Sequence, residues 1–417
     1  MDAAAVPATG KPVLLAGVRV LDLSRVFAGP FATQMLADFG ADVIKIERPG
    51  VGDESRQQGA RIHDAEGREV DFTAPFLSMN RGKRSVAVDI ATSEGRDIVR
   101  ALALQCDVLV ENFKVGDLKR HGLDYDSLHA ANPRLVYASV TGFGQTGPRA
   151  REPGYDLAFQ AMSGVMSITG HPDGTPGGGP QRIGYSVSDI TAAYHVVIAV
   201  LGALYARQAG TCEGQHIDIS LLDTQVAAAS HVSMGYLATG RQPPRLGAAS
   251  HFMVPYQPFD CSDAPLIVLC GNDGQFRRLA AALGLAGLAD DARFATNPQR
   301  LKNRDALVDL IGPVIARRTR ADWVAVLTGA GVPCAPINDF EAAFADPQLV
   351  HRGMVMERPF GPTGSLRQIA NPVRFSETPV RYDRPPPALG EHTDAVCAQW
   401  LGISPDRLRE LRRSGVL

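Results

Sequence analysis

The chain has 417 residues, enough for two or three domains with sizeable cores. Its 42 basic and 44 acidic residues leave a formal charge of −2, which argues against a nucleic-acid partner, since that needs a strongly basic face. A hydrophobic content of 45% and a charged content of 21% are those of an ordinary globular protein.

Val18 to Leu23 (VRVLDL) reads as a strand that breaks into the loop SRVFAGP, Ser24 to Pro30. Pro30 suits the first position of a helix over Phe31 to Phe39, and Gly40 suits its end. Ala41 to Glu47 (ADVIKIE) is a second strand, so the first thirty residues of pattern have the size of a βαβ unit. Arg48 to Lys83 is polar and too long for a connector, which predicts function or short helices. Strands follow at Arg84 to Ile90, Asp107 to Glu111 and Arg134 to Val140, with helices at Ser93 to Gln105 and Tyr125 to Ala131. TGFGQTGP, Thr141 to Pro148, is a glycine-rich turn before a helix predicted over Tyr155 to Met166. A strand at Gln215 to Leu221 precedes a helix from Leu222 to about Thr239. Alternation of this kind predicts a mostly parallel sheet covered on both faces, with ligands beyond the strand C-termini.

TGRQPPRLGAA, Thr239 to Ala249, reads as a linker into a smaller mixed α+β domain. That domain has a strand at Ala264 to Cys270 and helices at Gln275 to Leu283, Lys302 to Ala316 and Arg320 to Ala330. The resulting division is 14–238 for the large domain, 239–250 for the linker, 251–340 for the small domain and 341–417 for a return segment. The return segment ends in a helix at Asp406 to Ser414 and is too poor in apolar residues to fold alone, so it must pack on the large domain or on another subunit. Six scattered cysteines without a CxxC pair fit reduced thiols of a cytoplasmic protein. The leader MDAAAVPATGKPVLLAG has no basic start or long apolar run, so no secretory signal is read. The most apolar segment, Val196 to Tyr205, is shorter than a membrane span and follows a polar cap, so no membrane is expected.

Gly184 to Gln208 (GYSVSDITAAYHVVIAVLGALYARQ) is a turn, a cap and one long apolar helix. Asp189 at its start has two readings: a cap, or a nucleophile that the helix N-terminus keeps ionised. No nicotinamide fingerprint, P-loop, GxSxG elbow, HExxH or metal-spaced His cluster is present, so no metal is expected. Basic residues at Arg25, Lys45, Arg48, Arg56, Arg81, Lys83, Arg84, Lys114 and Arg120 concentrate on one predicted rim, which favours a phosphate-bearing ligand.

SRVFAGPFATQMLADFGADVIKIERPGVGDESR, NRGKRSVAVD, DVLVENFKVGDLKRHGL, SVTGFGQTGP, GYDLAFQAMSGVMSITG and SDITAAY occur in that order. Together they resemble the class III CoA-transferases, a family that includes α-methylacyl-CoA racemases. The resemblance runs from Leu15 to the C-terminal LGEHT. It implies a Rossmann-like large domain and a small domain, in two chains interlocked as a ring-like homodimer. It also implies that Asp189 is catalytic. Coenzyme A or acyl-CoA, as substrate rather than a permanent cofactor, would meet Arg25, Val26, Phe27 and Ala28, then Arg48, then Asn112, Phe113, Lys114 and Arg120, with Tyr155 and Asp156 on the acyl side.

Two departures carry information. The racemases place a histidine at the position of Tyr155, and a phenol with a pKa near 10 is ill matched to α-proton transfer. The glycine run that closes over the formyl-CoA transferase site is replaced by Gly247-Ala248-Ala249-Ser250-His251. The expected activity is therefore CoA transfer through an aspartyl anhydride and an aspartyl-CoA thioester. A racemase-type isomerase and a silent acyl-CoA binder are the alternatives. GYDLAFQAMSGVMSITG, VPYQPF and GVPCAPIND resemble the branch acting on succinate with hydroxymethylglutarate or glutarate, implying succinyl-CoA as donor and a C4–C6 dicarboxylate as acceptor. A distal carboxylate needs a cation; Arg182 and His251 are the candidates.

Overall fold

The structure is a computed structural model and describes residues 10–417; the first part of the leader, residues 1–9, lies outside the described residues. The chain forms two compact units. One comprises 10–163, 184–230 and 348–417, the other 164–183 and 231–347. Gly164–Ile183 thus groups with the second unit, not with the sequence on either side of it.

The first unit is built on six strands: β1 (Arg19–Asp22), β2 (Asp42–Glu47), β3 (Lys83–Ala87), β4 (Val108–Glu111), β5 (Val136–Thr141) and β6 (Gln215–Ser220). They pair in the order β3-β2-β1-β4-β5-β6 and every pairing is parallel. This is the Rossmann order, with its reversal between β1 and β4. The inner strands are buried on both faces, which explains their unbroken apolar runs.

On one face lie α1 (Ala28–Asp38) and α4 (Val187–Gln208), which share a core through Ala32, Leu36, Ala192, Val196 and Val200. On the other face, α2 (Ser93–Ala103) packs with Thr393–Leu401 and Pro405–Arg413. The return segment therefore packs on the large domain: Val396, Trp400, Leu408 and Leu411 join Leu21, Ile98 and Leu102 in one cluster. Arg19 stacks on Trp400 at 4.3 Å.

Among the described residues α4 is the one helix long and apolar enough to cross a membrane. Its length comes from joining the Val196 to Tyr205 run to the helical turns before it. Much of it is core, but Tyr194, Ile198 and Tyr205 are 48%, 66% and 75% exposed.

Arg48 to Lys83 carries short helices as expected, a 3-10 turn at Glu54–Gln57 and the helix Ala74–Met79, and adds a hairpin of Arg61–His63 and Glu69–Thr73. Two predicted helices differ. The helix read over Tyr155 to Met166 is two, α3 (Asp156–Met162) and Val165–Ile168, because Gly164 at φ 85° cannot continue a right-handed turn. The helix read from Leu222 to Thr239 is likewise Leu221–Ala228 and Ser230–Thr239, interrupted where Ser230 takes φ 37°.

The second unit is α+β. Tyr256–Asp260, Pro265–Leu269 and Cys334–Pro336 form an antiparallel sheet. Phe276, Leu307, Ile311, Trp323 and Leu327 from its helices fill the core behind it.

Candidate active site

In a sheet of this order the two loops that diverge at the reversal leave a crevice beyond the strand ends. Here those are the loop after β1 and the segment after β4. They are clasped together: the Arg25 N–H donates to Asn112 Oδ1 at 2.9 Å, and Asn112 Nδ2 donates to the Arg25 carbonyl at 2.7 Å. The Arg25 guanidinium lies over the Phe113 ring at 4.9 Å and pairs with Glu54 at 2.7 Å. Gly29 lets α1 start against the loop, since a Cβ there would lie 2.3 Å from Ser24 Cβ. Val26, a β-branched residue, is held at φ 69°.

Beneath the crevice is a layer of buried charge. Asp22 and Lys83, both with fully buried side chains, pair at 2.9 Å, as do Lys45 and Asp53 at 2.8 Å. Glu47 takes Arg56 in a two-pronged bond, each contact 2.8 Å, and Asp38 takes Arg81 at 2.7 Å. Burial alone would raise the Asp22 carboxyl; Lys83 and Lys45 outweigh it and hold it below the usual range. This layer corrects the reading of the basic cluster as a phosphate rim. Lys45, Arg56, Arg81, Lys83 and Arg84 are buried and paired with carboxylates, and Lys45, Lys83 and Arg84 lie within strands. Arg25, Arg48, Lys114 and Arg120 remain for a ligand.

Asp189 stands in the first turn of α4, whose N-cap is Ser186 rather than Asp189; the Ser186 side chain makes no capping bond. Asp156, at the start of α3, accepts from the Ser188 N–H at 2.8 Å and from Gln160 Nε2 at 2.6 Å. The two acids are thereby brought close at one end of the sheet. Burial, with Asp156 adding to it, pushes the Asp189 carboxyl up from 3.8 to about 7. Desolvation and a like charge thus oppose the helix N-terminus, which favours the ionised form. A carboxylate of raised pKa is also a more basic nucleophile once ionised. With Asp189 as the nucleophile, only its ionised form would attack, and kcat/KM for the acyl donor is expected to rise about tenfold per pH unit below about pH 7 and to level off above it. A profile measured from about pH 5 to about pH 9 checks this; a flat line across the acid side would separate the reaction from Asp189.

A cleft of about 1130 Å³ opens at this end. It is lined by Asp189, Asp156 and Tyr155, by Arg25, Val26, Phe27 and Ala28, and by Asn112, Phe113 and Lys114. Ten of the sequence-predicted residues, drawn from four separate segments of the chain, are thus in one place. Arg48 lines an adjoining cleft of about 780 Å³ together with Val51, Ile90 and, again, Arg25, Glu54 and Phe113. Arg120 lines neither cleft; it is exposed and pairs with Asp117 at 3.8 Å. Arg182 and His251 belong to the second unit, where His251 Nε2 contacts the Pro244 carbonyl at 2.6 Å.

Sequence reasoning missed Asp53, Glu54, Glu111 and Arg151. Glu54 and Arg151 line the cleft, and Asp53 holds its floor. Glu111 is buried behind Phe113, whose N–H it accepts at 2.7 Å, and burial pushes its carboxyl up to about 7. The available signal was a charged residue inside an apolar strand, as in VIKIE and DVLVE, which marks a buried ion needing a partner. Among the described residues no cluster of His, Cys, Asp and Glu is arranged to hold a metal.

A Rossmann-order sheet with an acid on the first turn of a helix facing its reversal defines a class that comparison identifies: the model of CoA-transferase family III matches residues 15–393. The chain belongs to that family and is a CoA-transferase. It is 44% identical to a succinate–glutarate CoA-transferase of Agrobacterium fabrum, over 92% of this chain and 95% of that one. It is 38% identical to the succinyl-CoA:glutarate CoA-transferase of Homo sapiens, over 97% of this chain and 90% of that one. The crystal structure of a CAIB/BAIF family protein from Brucella suis matches with a TM-score of 0.81 and 44% identity, covering 93% of this chain and 99% of that chain.

Proposed function

We propose that this protein moves CoA from succinyl-CoA to a C4–C6 dicarboxylate, with glutarate the first acceptor to test. The observation that carries the reading is the cleft that gathers Asp189 with the loops after β1 and β4. The relatives' substrates supply the choice of acids.

In this reading the ionised Asp189 attacks the thioester carbonyl, the C–S bond breaks and CoA thiolate leaves, giving a mixed anhydride. The thiolate then attacks the Asp189 carbonyl carbon, forming an aspartyl-CoA thioester and releasing succinate. The acceptor carboxylate expels the thiolate from that thioester, forming a second anhydride. Thiolate attack on its acceptor-side carbonyl frees Asp189 and the new acyl-CoA. Each intermediate is hydrolysable, so water must be excluded. N–H groups of the facing glycine-rich loop would stabilise the oxyanions. The exposed phosphate partners in this reading are Arg25, Arg48, Lys114 and Arg120, and Arg182 or His251 would hold the distal carboxylate. Tyr155, as a poor proton shuttle, disfavours the racemase alternative.

The apolar residues exposed on α4, with Tyr155 at 82% and Tyr185 at 55%, support a second copy as their cover, in keeping with the interlocked homodimer. Six free cysteines support a reducing, cytoplasmic setting. The function is tested with succinyl-CoA and labelled glutarate. Label is expected in a CoA ester that forms as succinate is released, without net hydrolysis. Succinyl-CoA hydrolysis alone, unaffected by any C4–C6 diacid, would sink it.

A further inference from the structure

Val26 lies in the left-handed region at φ 69°, where a β-branched side chain is strained. Something must hold it there. Its N–H donates to the Asp53 carboxylate, at 3.0 Å to Oδ1 and 3.3 Å to Oδ2. Asp53 also accepts from the Ser55 N–H at 2.9 Å and Ser55 Oγ at 2.8 Å, so it fixes the Glu54–Gln57 turn as well. Its counter-ion Lys45 is fully buried and donates to the Ser24 carbonyl at 2.9 Å, two residues before Val26. Burial would raise the Asp53 carboxyl, but Lys45 and the N–H donors outweigh it and keep it ionised. One buried ion pair therefore grips both sides of a turn whose next residues, Phe27 and Ala28, line the Asp189 cleft at the unbonded start of α1.

We propose that Asp53, with Lys45, is a positioning residue for CoA transfer: it holds Val26 in the left-handed conformation and so aims the Phe27 and Ala28 N–H groups at the reacting carbonyl. This rests on the proposed transferase reading. Relaxation of Val26 to negative φ turns the following peptide away from the cleft, and misplacement by about 1 Å costs on the order of a hundredfold in rate.

Val26→Gly and Val26→Pro separate backbone conformation from side-chain packing. Glycine adopts φ 69° without strain, whereas proline is locked near −65° and has no N–H. Neither substitution alters Asp53, Lys45 or Ser55 themselves. With folding checked by circular dichroism and melting temperature, Val26→Gly is expected to turn over at least about thirtyfold faster than Val26→Pro. Val26→Pro is expected to lose about a hundredfold in kcat with little change in the KM for succinyl-CoA. Asp53→Ala should fall as Val26→Pro does, and adding Val26→Gly to it should recover at least about tenfold. Equal kcat for the glycine and proline variants would overturn the proposal, as would a folded Asp53→Ala variant that the glycine does not rescue. If Asp53→Ala does not fold, the glycine and proline pair decides alone. Wild-type transfer is the reference: its absence would speak against the function, whereas its presence with indistinguishable Val26 variants speaks only against the positioning role.

Discussion

Asp189→Asn is expected to abolish CoA transfer, by on the order of 10⁴-fold or more, while leaving CoA bound with nearly wild-type affinity. The amide cannot form the anhydride, yet it is nearly isosteric and leaves the cleft walls untouched. No hydroxylamine-trappable adduct should form when the variant is incubated with succinyl-CoA. The same substitution should stabilise the fold above neutral pH. The folded-state pKa is raised from 3.8 to about 7, so the native protein holds a proton there that the unfolded chain has released. The stability this gives is complete below about pH 4 and disappears as pH rises through about 7. At pH 8 the carboxylate is ionised, desolvated and beside Asp156, at a cost of up to about 4 kcal/mol that the open cleft mouth reduces. Asparagine avoids that cost, so the variant's melting temperature should exceed the wild type's by a few degrees at pH 8 and match it near pH 4. Turnover within about tenfold of wild type would remove Asp189 from the mechanism.

Lys83→Met should be among the most destabilising single substitutions in the chain. The Lys83 ammonium has no solvent access and uses all three donors, at 2.9 Å to Asp22, 2.9 Å to the Pro30 carbonyl and 2.8 Å to Asn80 Oδ1. Asp22 in turn accepts from the Ser24 N–H at 2.9 Å and from Thr33 Oγ at 2.6 Å. Removing the lysine leaves a buried carboxylate with Lys45 as its remaining cationic neighbour, and such losses run to about 3–5 kcal/mol. Replacing both charges, as in Asp22→Leu with Lys83→Met, should cost less than the sum of the two single changes, because no lone charge is left behind. Urea unfolding of the three variants measures the coupling; strict additivity would show that the pair does not act as a unit.

These two residues mark how far the sequence alone carries. Asp189 was legible only through the motifs around it, since the helix pattern by itself gave a cap. The parallel sheet was legible from buried strands with no polar alternation. The ion layer was legible only in part: a charge inside VIKIE marks a buried ion, but its partner is not written beside it. Lys83 and Asp22 are 61 positions apart, and the string does not show that the lysine faces a carboxylate on the next strand but one. Arg182 lies seven positions before Asp189 in the chain, and the boundary between the two compact units falls between them, at Ile183 and Gly184. Two predicted helices were too long because one residue of positive φ, Gly164 or Ser230, interrupts each without changing its apolar content.

The placement of Val396, Trp400 and Leu411 beside Leu21 has a consequence for biogenesis. Residues translated early share a core with residues translated much later, and the whole of the second unit intervenes. On the ribosome, the small unit can complete its own core while the large one is still missing part of its hydrophobic face. The sheet must wait, with apolar surface open to chaperones, until the helices Thr393–Leu401 and Pro405–Arg413 leave the exit tunnel.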